Sequence, residues 1–347
     1  MECEADDVGG PNRLLIGGNS SLLEDREVVL QMLSDMVKET SRHALGQRTL
    51  YSYQGIWKLF VAFCLQLGLL HLPASSETIM RFLSWYGMSR SVQTVRVANS
   101  AIKYYHHSQG FPYETSMKIS AFLAGFARRF GKPQAQKDAV YTSEIKNVCD
   151  LLDREGGITA VRDKCLLLFG FAAALRASEA IGIDWSDLKI SHQGFTILIR
   201  KSKTDKENAG QSVAVARTVN GSTCPVEAME EWRSLVKGGK KHLHGRILRS
   251  LTSVGGRGLG EVRIDESGIS HGTYQKVIKE RFAQIGLDPD RLGGHSLRSG
   301  HATQAAQNGA SEFEIAEQGR WKSMQTVKRY VRLGTQFKNN SSRKLGL

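Results

Sequence analysis

The sequence predicts a mainly α-helical protein of two domains, with a small β-sheet in the second. Three observations carry that prediction. Apolar residues recur at helical spacing from about Ser21 to Phe130, without a convincing strand. One pair of alternating, β-branched segments lies between residues 195 and 217. A polar, basic stretch punctuated by Gly131 and Pro133 separates the two halves.

In the first half, Tyr53, Trp57, Phe60 and Cys64 fall on one helix face, and Ile79, Phe82 and Tyr86 on another. Ser75-Ser76, just after Pro73, supplies a cap for the second helix. A third helix follows Ser91, with Val95, Ala98, Ile102 and Tyr105 on its inner face. Most of these aromatics are expected to be core. Residues 1–20 are acidic and Gly-rich and are expected to lack fixed structure. The expected organisation is a tail over 1–20, a helical domain over 21–130, a linker over 131–138 and a second domain over 139–347. Lys132 and Lys137 suit the linker to a DNA backbone, or equally to solvent.

The second half opens with a helix capped by Thr142 or Ser143. The segment CLLLFGFAAAL, 165–175, is apolar almost throughout and must be buried on most sides, delivering Arg176 at its end. FTILIRKSKTD (195–205) and QSVAVAR (211–217) read as a β-hairpin turning at Glu207-Asn208-Ala209-Gly210. Everything after Gly268 reads as helix again, and no internal repeat is visible.

A chain of 347 residues has room for two domains. Its net charge of +13 favours a polyanionic partner. Residues 1–40 hold nine acidic and three basic residues, net −6, so residues 41–347 carry +19. The five cysteines, Cys3, Cys64, Cys149, Cys165 and Cys224, are scattered and form no CxxC, which argues for reduced thiols and against a zinc site. No run approaches the roughly 18 apolar residues of a membrane span. There is no P-loop and no acidic metal cluster of usual spacing, so neither metal nor cofactor is expected. A soluble, cytoplasmic protein is the expectation.

Chemistry gathers at three places. Arg176 stands in ALRASE, three residues before Glu179, as either a surface ion pair or a functional guanidinium at the edge of a core. His295 and Arg298 follow Gly293-Gly294 at i, i+3 spacing. That spacing puts a basic pair on one helix face, next to amides that suit an oxyanion. In GRWKSMQTVKRY, Trp321 lies 23 residues after Arg298, and Tyr330 lies 9 further on. Lys328, Arg329 and Arg332 surround that tyrosine with positive charge that sits well beside DNA.

RxxE, then HxxR, then GRW, then a tyrosine, in this order, resembles the tyrosine recombinase (phage integrase) family. A tryptophan where the family more often has histidine is similar to its Cre-like members. The resemblance covers nearly the whole chain. It implies an all-helical core-binding domain, a tyrosine-recombinase catalytic domain, and cleavage and rejoining of DNA through a covalent 3′-phosphotyrosyl intermediate. It casts Tyr330 as nucleophile, Arg176 and Arg298 as clamps on the scissile phosphate, and His295 as an aid to proton transfer. Trp321 becomes a hydrogen-bond donor and Glu179 an orienter of Arg176. The family's catalytic lysine lies on a hairpin, where Lys203 fits best and Lys201 and Lys206 remain open.

The resemblance also implies double-stranded DNA with an inverted-repeat site as partner, a homotetramer on two such sites, no cofactor and no membrane. Candidate DNA-contacting residues are Ser91, Gln93 and Arg96 in the first domain, and His271, Thr273, Gln275 and Lys276 in the second. Each also fits a solvated surface position. Gly272 stands where the Cre-like members have a base-reading arginine, so a different target is expected. The short stretch before residue 21 leaves no extra arm-binding domain, which points to a simple recombinase with few accessory factors. Two other readings are a type IB topoisomerase, disfavoured by the short tail after Tyr330, and a DNA-binding regulator with a vestigial site.

Overall fold

The computed structural model describes residues 22–42, 45–113, 117–133, 137–200, 210–239, 241–254, 261–338 and 340–345. The acidic stretch 1–20 and residues 201–209, with Lys201, Lys203 and Lys206, lie outside the described residues. The chain divides into two compact units, Met1–Gln134 and Ala135–Leu347.

The first unit is helical: α1 (Leu22–Arg42), α2 (Gln47–Gln66), α3 (Ser76–Gly87), α4 (Val92–Ser108) and α5 (Met117–Phe130). Its core follows the predicted stripes. Phe60 and Cys64 of α2, Ile79 and Phe82 of α3, and Val95, Ala98 and Ile102 of α4 are fully buried together. Trp57 stacks on Tyr105 with ring centroids 4.7 Å apart. Ser75 and Ser91 each accept the amide hydrogen three residues on, from Thr78 and Thr94, both at 3.2 Å. That satisfies a donor that a helix start leaves open. His106 is fully buried, accepting the Ala74 amide at Nε2 and so donating from Nδ1 to the Ile102 carbonyl.

The second unit runs α6 (Thr142–Glu155), α7 (Gly157–Ala172), α8 (Ala177–Ala180), β1 (Leu188–Ile190), β2 (Gly194–Ile199), β3 (Gln211–Ala216) and α9 (Pro225–Lys237). It continues with β4 (Arg249–Val254), β5 (Glu261–Gly268), α10 (His271–Ala283), α11 (Ser296–Gln307), α12 (Glu312–Gly319) and α13 (Met324–Thr335). The predicted hairpin is the antiparallel pair β2–β3, with Phe195 opposite Val215 and Ile197 opposite Val213 on the buried face. β1 adds a third antiparallel strand beside β2, and β4 pairs with β5 as a separate ribbon. These last three strands escape sequence reading. β1 is too short to show a period, and the β4–β5 ribbon carries polar residues on both faces.

Two local expectations are corrected. The residue before α6 is Tyr141, not Thr142 or Ser143, and its amide donates to Glu144 Oε2 at 2.7 Å. The apolar helix ends at Ala172, four residues before Arg176. Ala174 takes a left-handed conformation, φ +46°, which breaks the helix and restarts it as α8 with Arg176 at its N-cap.

Residues 137–140 run across α11. The Asp138 amide donates to the Arg291 carbonyl at 2.7 Å and the Val140 amide to the Ser296 carbonyl at 3.2 Å. The crossing is possible because residue 300 is glycine: a Cβ there would strike the Val140 carbonyl and its backbone. Gly300→Ala therefore forces residues 137–140 off the helix. Overpacking of this kind costs about 1–3 kcal/mol, an effect to be read as a lower urea midpoint at unchanged slope.

Candidate active site

Arg176 begins α8, and its own backbone and side chain both turn to Glu179. The Arg176 amide donates to Glu179 Oε2 at 2.9 Å, and the guanidinium Nη1 to Oε1. Glu179 is buried, whereas Arg176 is only partly so. The surface-pair alternative for Arg176 is thus set aside: its partner lies in the interior.

A second arginine reaches the same carboxylate. Arg320, just past α12, donates from Nη2 to Glu179 Oε2 at 2.9 Å and to the Ala174 carbonyl at 3.1 Å. Its Nη1 reaches the carbonyls of Ala173 and Gln318 at 3.2 and 2.8 Å. Arg320 is buried and left-handed, φ +56°, a conformation that costs an L residue roughly 1–2 kcal/mol. Sequence reading missed it as a site residue, although it is the middle letter of the GRW motif. Its signal was the presence of arginine at a helix end where glycine is the usual residue.

Arg298, in the first turn of α11, is 1% exposed, and its guanidinium donates to the carbonyls of Ala174 and Gly319. It also lies 4.1 Å over the Trp321 ring, and Trp321 in turn meets the Tyr330 ring at 5.5 Å. Gly319 is required here, because a Cβ would penetrate the tryptophan ring. Tyr330 is buried on α13, with Val327 beside it in a small core shared with Ala302 and Ala306 of α11. A run of contacts therefore links Arg176, Glu179 and Arg320, passes through the Ala174 carbonyl to Arg298, and continues to Trp321 and Tyr330.

The electrostatics follow from burial. Burial lowers the Arg298 pKa from the usual arginine value and the Arg176 charge lowers it further, while Glu179 opposes them. Burial likewise lowers that of Arg320, against the pull of Glu179. For Glu179, burial alone would raise the pKa, but Arg320 and then Arg176 overcome it, and the carboxyl lies below its ordinary value. Three guanidiniums and one carboxylate leave a surplus of positive charge that an anion would relieve.

His295 is the N-cap of α11 and is exposed, while Arg298 one turn on is interior. The pair thus serves two environments rather than one helix face. The Gly293 amide is not open to an oxyanion, since it donates to Ser296 Oγ at 3.1 Å. Gly294 instead allows close packing on Ala177. His295 and Arg176 line one cleft together with His271 and Gln275 of α10. Two of the predicted DNA-contacting residues therefore sit at the rim of the arginine cluster. Gln275 and His271 are 3.1 Å apart through Nε2 and Nδ1. Thr273 bonds the capping Ser270, and Lys276 is exposed with Glu280 one turn away. In the first unit, Gln93 and Arg96 are exposed on α4, and the Ser91 hydroxyl is engaged as its cap. Among the described residues no group of three or more His, Cys, Asp or Glu is placed to hold a metal ion, and no helix is long and apolar enough to cross a membrane.

Residues 139–336 match the model of the phage integrase family. A relative from Selenomonas ruminantium, an integrase/recombinase XerD homolog, is 30% identical over 317 residues, covering 90% of this chain and 89% of the relative. The chain belongs to the phage integrase family. Membership makes it a site-specific tyrosine recombinase. The fold agrees. A lambda integrase (75–356) dimer bound to a COC′ core site aligns with a TM-score of 0.55 at 15% identity, over 87% of this chain and 94% of that one. The Tn1549 transposon integrase in complex with transposon right-end DNA aligns with a TM-score of 0.58 at 10% identity, over 86% and 93%. This integrase-family chain thus keeps the fold at sequence identities too low to carry residue roles.

Glu179→Gln would leave the buried Arg320 guanidinium and the partly buried Arg176 guanidinium without this counter-charge. Removing one partner of a buried pair typically costs about 3–5 kcal/mol. The pH dependence has a defined sign. Because the folded pKa of Glu179 is depressed, its contribution is present above the unfolded value and is lost as pH falls below about 4.3 and through the folded value. Chemical denaturation from pH 7 to pH 3 should show that loss in the wild type and a flatter profile in Glu179→Gln.

Proposed function

We propose that this recombinase cuts DNA with Tyr330 at a phosphate held by Arg176 and Arg298. The observation that carries the reading is the buried arginine cluster, with its surplus positive charge, built against the tryptophan that packs on Tyr330. Attack of the Tyr330 oxygen forms a new phosphorus–oxygen bond, breaks the bond to the 5′-oxygen and leaves a 3′-phosphotyrosine. Charge accumulates on the nonbridging oxygens as this happens. Planar, permanently charged guanidiniums match those oxygens in shape and sign. His295, exposed on the cleft, assists transfer of the tyrosine proton, and Glu179 orients Arg176. Trp321 supports the site as a donor that cannot titrate.

The departing 5′-oxygen needs a proton, and Lys203, in the sequence between β2 and β3, is the proposed acid, with Lys201 and Lys206 as the alternatives. The phosphotyrosine conserves the energy of the broken bond, so rejoining to a new 5′-hydroxyl needs no ATP or metal. The partner is double-stranded DNA with an inverted-repeat site, and the working form is a homotetramer on two such sites. In support, the lambda integrase is known both as a dimer on a core site and as a tetramer on a Holliday junction. His271, Thr273, Gln275 and Lys276 of α10 in the second unit, and Ser91, Gln93 and Arg96 of α4 in the first, contact the DNA. The protein works in the cytoplasm, in association with DNA.

Tyr330→Phe should keep its affinity for duplex selected from a random-sequence library, yet give no covalent adduct on a denaturing gel. An adduct in that variant would move the nucleophile elsewhere. Joining of two marked duplexes, rather than relaxation of a supercoil alone, separates recombination from a topoisomerase activity.

Lys203→Ala should cleave about 10²–10⁴-fold more slowly, as expected for loss of a general acid. A 5′-bridging phosphorothiolate should restore most of that rate, because a thiolate leaves without a proton. Arg176→Ala and Arg298→Ala should recover much less, since sulfur does not replace their contacts to nonbridging oxygens. Rescue of Lys201→Ala or Lys206→Ala in place of Lys203→Ala would reassign the acid.

A further inference from the structure

We propose that Arg320 is a positioning residue of the cleavage site. It fixes, through Glu179, the direction in which Arg176 presents its guanidinium, and it shares with Arg298 the Ala174 anchor. The inference rests on the reading of the site given above and adds a residue to it.

Three observations carry it. The first is the division of labour on Glu179: Oε1 takes the Arg176 guanidinium, while Oε2 takes the Arg176 amide and Arg320 Nη2, each at 2.9 Å. Without Arg320, Oε2 would keep the Arg176 amide and lose its charged donor. That donor is the one that ties the carboxylate to the turn after α12. The second is burial. The Arg320 side chain is 3% exposed, and each of its terminal nitrogens already has two protein acceptors, Ala173 and Gln318 carbonyls for Nη1 and the Ala174 carbonyl and Glu179 Oε2 for Nη2, so those donors are taken by the protein rather than by a substrate.

The third is backbone conformation. Among the described residues, the two non-glycine residues with positive φ are Ala174 and Arg320, and they are hydrogen-bonded to each other through Arg320 Nη2 and the Ala174 carbonyl. Arg298 donates to that same carbonyl. Unfavourable backbone persists where its surroundings over-determine it, and such residues gather at functional sites. Glycine at position 320 would make the same turn with less strain. The turn therefore does not account for arginine there, whereas its reach to Glu179 and Ala174 does.

The test uses Arg320→Gly and Arg320→Lys in the full chain, with duplex selected from a random library on the wild-type protein. Single-turnover formation of the covalent adduct at saturating protein, affinity for the same duplex, and thermal unfolding are measured separately. Cleavage by Arg320→Gly should fall by about 10- to 100-fold, as misplacement of a reacting group predicts, while affinity stays within about 3-fold. Arg320→Lys should recover part of the rate. In a Glu179→Ala background, adding Arg320→Gly should lower cleavage by less than about 3-fold further, because the two residues act through one contact.

Wild-type cleavage by Arg320→Gly would overturn the inference, and so would a full additional loss in the Glu179→Ala background. Should Arg320→Gly melt, Arg320→Lys decides: wild-type cleavage by it is the overturning result, and slowed cleavage with intact affinity the supporting one. Failure of the wild-type protein to form any adduct at Tyr330 would instead sink the reading of the site, a result distinct from either.

Discussion

The Glu179 carboxylate holds the catalytic unit's functional end together. It is a buried charge, and a buried charge is tolerated only when its oxygens are matched by donors in good geometry. Here the donors come from two distant parts of the chain, the start of α8 and the turn after α12. The carboxylate therefore does more than neutralise Arg176. It ties the segment that follows the apolar helix α7 to the segment that leads into the tyrosine helix α13.

That tie works because the backbone nearby is bent to meet it. Ala174 breaks α7 in a left-handed turn, which aims its carbonyl at two guanidiniums, those of Arg298 and Arg320. Gly319 removes a side chain where the Trp321 ring must lie, and its carbonyl receives Arg298. The strain at Ala174 and Arg320 is local, and several hydrogen bonds and the surrounding core of α7, α11 and α12 offset it. The result is a set of positive charges whose positions are set by backbone carbonyls, for Arg298 and Arg320, and by the buried Glu179 carboxylate, for Arg176 and Arg320. Guanidiniums fixed in this way need little rearrangement when charge develops on a phosphate, which is the condition for electrostatic stabilisation of a transition state.

The same arrangement explains why a bare HxxR motif says so little. His295 and Arg298 are a turn apart, but the N-cap places His295 on an open cleft, while the carbonyls of Ala174 and Gly319 draw Arg298 inside. The cleft side carries His271 and Gln275 from α10, so two of the proposed DNA contacts lie beside the proposed phosphate clamp Arg176. Family membership establishes what kind of enzyme this is; the contacts indicate how the parts of its site are held.

Sequence by itself determined the helical first unit, the β2–β3 hairpin and the return to helix after Gly268. In each, the local period of apolar residues coincides with the face that is buried, as with Phe60, Phe82 and Ile197. It also determined the order of Arg176, His295, Arg298, Trp321 and Tyr330, because residue type and spacing along the chain are sequence properties. Only the tertiary structure decided that Arg176 restarts a helix instead of ending one, that β4 and β5 form a ribbon, and that Arg320 belongs to the site. The reason is physical in each case. A left-handed alanine, a strand pair polar on both faces and a buried arginine all run against local preference. They persist through contacts 124 to 147 residues away in the chain, as for Arg298 and Arg320, or through a partner strand, as for β4. No window of neighbouring residues contains those partners.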